Sequence, residues 1–72
     1  MVMNASYTAI VKQDAAWWVG WIEEVPGVNC QEPTRDELIE SLRTTLREAL
    51  YLNRSDAIRA AGSSYEEFGI VV

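Results

Sequence analysis

Residues 16–22 read Ala16-Trp17-Trp18-Val19-Gly20-Trp21-Ile22, and the fold turns on this run. Aromatic and β-branched residues dominate it and polar residues bound it, which is the pattern of a strand. Alternation sends Trp17, Val19 and Trp21 to one face and Trp18, Gly20 and Ile22 to the other. Both faces are therefore apolar. A sheet covered by one helix needs a single apolar face and shows polar alternation on the other. Two apolar faces predict two covering surfaces, and in a chain this short the second is expected from another molecule. Gly20 leaves a gap between Trp18 and Ile22 where another backbone or side chain can come close.

On the N-terminal side, Tyr7 to Lys12 reads as a strand, with Tyr7, Ala9 and Val11 on one face and Thr8, Ile10 and Lys12 on the other. The polar turn Gln13-Asp14-Ala15 joins the two strands as an antiparallel hairpin. On the C-terminal side, Glu23-Glu24-Val25-Pro26-Gly27 breaks the pattern, since proline presets φ and glycine accepts positive φ. Val28 to Glu32 reads as a short third strand that Pro33 ends. Thr34-Arg35-Asp36-Glu37 is a capping box, with a hydroxyl at the N-cap and a carboxylate three residues on. Leu38, Ile39, Leu42, Leu46, Ala49 and Leu50 follow at helical spacing. Asn53-Arg54-Ser55 predicts a break, Asp56 to Ala61 a short second helix, and Gly62 its end. Phe68 to Val72, apolar and β-branched at its close, predicts a fourth strand. The expected class is α+β: a two-layer β-β-β-α-β arrangement over residues 1–72 as a single domain. Strands 1–3 are antiparallel, one long helix lies on one sheet face, and a C-terminal strand closes the order.

Seventy-two residues make a small core, which supplies about 3–5 kcal/mol and usually leans on disulfides, metal or oligomerisation. The single cysteine, Cys30, excludes an internal disulfide, and the absence of histidine removes any plausible zinc ligand set. No cofactor is expected. Oligomerisation remains, so a homo-oligomer, dimer or tetramer, is expected. Eleven acidic against six basic residues give a net charge of −5, which repels phosphate backbones and suits a basic protein partner. Met1 to Ser6 lacks the basic start and apolar run of a signal peptide, and no apolar stretch approaches the roughly 20 residues that span a bilayer. A cytoplasmic protein with a reduced Cys30 and no membrane contact is the expectation.

The residues offer little catalytic chemistry. Cys30 has no histidine to activate it and reads as a small packing residue. Asp14, Glu23, Glu24 and Glu32 are the carboxylates near the sheet, and two-metal phosphoryl transfer needs several of them converging on one site. Adjacent strand residues point to opposite faces, so Glu23 and Glu24 need not converge. The tryptophans carry more information. Base stacking normally comes with a basic groove, whereas Lys12 is the only nearby cation. Trp17, Trp18 and Trp21 therefore read as oligomer or partner contacts, and Glu23 and Glu24 as electrostatic contacts to a basic partner.

The runs Tyr7-Thr8-Ala9-Ile10-Val11-Lys12, Trp18-Val19-Gly20-Trp21, Val25-Pro26-Gly27-Val28, Thr34-Arg35-Asp36-Glu37-Leu38 and Leu46-Arg47-Glu48-Ala49-Leu50 come in an order and spacing that resembles the HicB family of bacterial antitoxins. The similarity spans about residues 7 to 53. It implies a partial ribonuclease-H-like fold without the metal-binding carboxylates, hence no nuclease activity. It also implies a role in covering HicA, a small basic toxin that cleaves messenger RNA. Full-length members of that family add a C-terminal DNA-binding domain. The residues after the helix here are few and not basic, so no direct nucleic-acid binding is carried over. Two other readings stay open: an orphan oligomeric protein-binding or regulatory module without a toxin, and, remotely, a metal-dependent nuclease.

Overall fold

The computed structural model describes residues 6–72. The reading of Met1 to Ala5 as free of a signal segment lies outside the described residues. Three strands and one helix follow in order: β1 (Ala9–Asp14), β2 (Trp17–Ile22), β3 (Asn29–Glu32) and α1 (Arg35–Ala61). The sheet order is β1-β2-β3, antiparallel throughout. This is the α+β class that the sequence implies.

The hairpin turn is tighter than expected. Ala15 and Ala16 alone connect β1 to β2, because Gln13 and Asp14 stay in the ladder opposite Trp18 and Trp17. Ala15 takes φ 55°, the left-handed conformation a two-residue hairpin demands. Val25-Pro26-Gly27 then turns the chain, with Gly27 at φ 91°.

The helix seats on the face carrying Trp18, Gly20 and Ile22. Its buried residues Leu38 and Leu42 form the core with Ile22, Val25 and Val28, and Val11, Trp18, Cys30, Leu46, Ala49 and Leu50 pack around them. Gly20 permits this. A Cβ there would lie 2.7 Å from the Ile10 carbonyl oxygen and 3.1 and 3.2 Å from methyl carbons of Leu42 and Leu38. The approach expected at Gly20 is made by the chain's own helix. Thr34 caps α1 as read, its hydroxyl accepting from the Glu37 N–H at 3.2 Å. Ser41 donates to Glu32 at 2.6 Å and Thr45 lies 3.5 Å from Cys30 Sγ, so the helix runs antiparallel to β3.

Two expectations are corrected. Asn53-Arg54-Ser55 does not break the helix, and α1 runs uninterrupted to Ala61, where Gly62 at φ 82° ends it. None of the three residues is glycine or proline, and their propensity penalties are small beside the cost of a second nucleation. The C-terminal strand is the other correction: Phe68 to Val72 form no strand and stand exposed. The physical reason is the first correction. The last well-packed helical residue is Leu50, and eleven further residues carry the chain about 16 Å beyond the core before it turns. The molecule is accordingly long, 50 × 22 × 18 Å, with a radius of gyration of 15.2 Å against about 11 Å for a compact chain of this length. Among the described residues no helix is long and apolar enough to cross a membrane.

Candidate functional site

The face of the sheet turned away from α1 is built from the odd-numbered residues of β2. The register sets Trp17 beside Asp14, Val19 between Lys12 and Gln31, and Trp21 between Ile10 and Asn29. Trp17 is 45 % exposed and Trp21 43 %, a large area for two indoles on a surface that no element among the described residues covers. They stand about 13 Å apart along the strand, with Val19 and Ile10 half-buried nearby. The apolar centre is thus Ile10, Trp17, Val19 and Trp21. Among the described residues Lys12 is the one cation in its rows, and Asp14 marks one end.

Glu23 marks the other end. It continues the odd-numbered register one step past Trp21, its N–H donating to the Thr8 carbonyl at 2.9 Å. Glu24 is turned aside. Its carboxylate accepts the Thr8 backbone N–H at 2.7 Å, and that bond holds the carboxyl below its ordinary range. A group satisfied in this way ties the start of β1 to the turn after β2.

Of the five residues singled out from sequence, the structure therefore brings Trp17, Trp21 and Glu23 onto one face. Trp18 lies on the opposite face, packed against the core beside Glu32. Glu24 is engaged with Thr8. The contribution of Ile10 and Lys12 to the outer face is missed by a three-residue turn, because only the two-residue connection fixes which β1 residues stand opposite Trp21 and Val19.

The carboxylates do not converge. Asp14 and Glu23 sit at opposite ends of the hairpin, and Glu32 lies on the helix face, hydrogen-bonded to Ser41. No group of three His, Cys, Asp or Glu side chains able to hold a metal occurs among the described residues.

Elsewhere the exposed apolar surface gathers at the far end of the molecule. Tyr51 is 71 % exposed, and Phe68 and Ile70 are about four-fifths exposed. Arg54 forks onto both carboxylate oxygens of Glu67, at 2.8 and 3.2 Å, laying the segment after Gly62 back along the helix. Comparison with known protein families, curated proteins and solved structures finds no match to this chain.

Proposed function

We propose that this chain is a non-enzymatic binding protein of the HicB antitoxin kind, which neutralises a small basic HicA-type toxin by covering it with the outer face of the sheet. The observation that supports this reading is the uncovered apolar face of Ile10, Trp17, Val19 and Trp21 with carboxylates at both ends. Large aromatics in a water-excluding patch supply most of the energy at protein interfaces. The surrounding negative charge speeds encounter with a basic partner and selects against acidic ones. Action in the cytoplasm, where Cys30 stays a thiol, belongs to the same proposal.

Co-expression with a tagged HicA-type toxin tests it. The expected result is a stable complex and rescued growth, both lost in a Trp17→Ala/Trp21→Ala variant that keeps its far-UV circular dichroism. Continued growth arrest with no complex would overturn the assignment.

A further inference from the structure

The charges on the outer face of the sheet are arranged, and the arrangement specifies more than a basic partner. Two of the carboxylates near the sheet are occupied by the chain itself: Glu24 accepts from Thr8 and Glu32 from Ser41. Asp14 and Glu23 are exposed and take part in no ion pair among the described residues. Asp14 stands level with Trp17, and Glu23 lies six residues further along the chain from Trp17, level with Thr8. At the rise of an extended strand that sets the two carboxylates about 20 Å apart, with the apolar face between them. Lys12 stands near the midpoint, beside Val19, and it too has no ion pair among the described residues.

The width of the face narrows the partner further. Three strands span about 10 Å from β1 to β3, which is the width of one helix. The opposite face of the same sheet already carries one: α1 lays Leu38, Leu42 and Leu46, one turn apart, over Gly20 and Ile22. A helix laid along β2 on the outer face covers the distance between the two carboxylates with about 13 residues, nearly four turns. Its apolar stripe meets Trp17, Val19 and Trp21. Its cations belong at the two ends, beside Asp14 and Glu23, because Lys12 repels a cation placed over the middle.

We propose that the outer face takes an amphipathic helix of its partner, with a basic side chain at each end of the apolar stripe and none at its middle. Asp14 and Glu23 are then specificity-determining residues that set the spacing of the two cations, and Lys12 rejects helices whose positive charge is central. The tryptophans supply affinity and the charges supply choice. This inference rests on the proposed use of the face for a basic protein partner, and it names the element of that partner which docks.

Synthetic peptides test this on the unaltered chain, without a toxin. Two amphipathic peptides of identical composition are stapled to equal helicity, one with lysines at both ends of its apolar stripe and one with the same lysines at the middle. A third carries glutamates at the ends. Binding is followed by fluorescence anisotropy of the labelled peptide. The end-lysine peptide is expected to bind at least about fivefold tighter than the middle-lysine isomer at low ionic strength, and the difference to shrink in about 0.5 M salt. Asp14→Lys/Glu23→Lys is expected to transfer the preference to the end-glutamate peptide, and Trp17→Ala/Trp21→Ala to abolish binding of all three. Equal affinity for the two lysine isomers would overturn the proposal, as would no binding of either, or a preference that survives the charge reversal. The isomer comparison needs no variant, so it decides the matter even where a variant does not fold. If the peptide preference holds and a HicA-type toxin does not bind, only the toxin assignment falls. If the toxin binds and the isomers are not distinguished, only the present inference falls.

Discussion

At the scale of single residues, the helix-to-sheet contact rests on Gly20. The methyl group of an alanine there would meet the Ile10 carbonyl oxygen at 2.7 Å, a backbone atom that a side-chain rotation cannot move. Gly20→Ala is therefore expected to lose about 1–3 kcal/mol, the usual cost of overpacking, in urea unfolding followed by tryptophan fluorescence. Ala15 predicts the opposite sign. It holds φ 55°, where a Cβ costs about 1–2 kcal/mol, so Ala15→Gly is expected to raise stability by a part of that amount in the same assay. Glu24 adds a pH dependence. Its folded carboxyl is lowered from 4.5 by the Thr8 N–H, so its contribution is present above that value and is lost as pH falls through the lower folded value. The stability gap between the wild type and Glu24→Gln should therefore be open at pH 7 and closed at strongly acid pH. A gap that persisted in acid would show that the bond to Thr8 is not what the carboxylate contributes.

At the scale of elements, α1 divides into a packed half and an overhanging half. Leu38, Leu42, Leu46, Ala49 and Leu50 contact the core, whereas the residues after Leu50 are mostly exposed. Asp56→Pro removes a helical hydrogen bond and clashes one turn back, at Leu52, outside the core. It is expected to reduce the far-UV helical signal while shifting the fluorescence-monitored unfolding of the sheet by less than about 1 kcal/mol. Leu42→Ala, by contrast, should cost about 2–5 kcal/mol. The packed half was legible in the sequence because its signals are local: the Thr34 capping box, the apolar stripe, and the two-faced strand Trp17 to Ile22. The overhang was not. Asn53-Arg54-Ser55 resembles a break in composition, but a helix already nucleated passes through three polar residues at small cost. The fourth strand was read from the apolar, β-branched composition of Phe68 to Val72, and composition does not show that an unbroken α1 carries that segment past the core. The outer face was half legible. Alternation identified Trp17 and Trp21, while the neighbours Ile10 and Lys12 depended on a turn length that composition does not fix.

At the scale of the molecule, the question is how so few buried residues hold the fold. Among the described residues Ile22, Val25, Val28, Leu38 and Leu42 are the buried hydrophobics, and Trp17, Trp21, Tyr51, Phe68 and Ile70 stand in water. Monomeric proteins rarely leave so much large apolar surface uncovered. If association covers it, folding and association are linked, because a partner that binds only the folded chain stabilises it by mass action. The urea midpoint of the isolated protein is then expected to rise with protein concentration. The two faces predict different responses to mutation. If the exposed tail is what self-associates, Ile70→Asp/Val72→Asp should abolish the concentration dependence and bring the midpoint down to the dilute-limit value. Trp17→Ala/Trp21→Ala should leave the concentration dependence intact, since the outer sheet face is kept for a different partner. The reverse pattern would assign self-association to the tryptophan face and leave the tail without a role in it. A midpoint independent of concentration would mean that the five-residue core holds the fold unaided, and that the exposed surface serves only unlike partners.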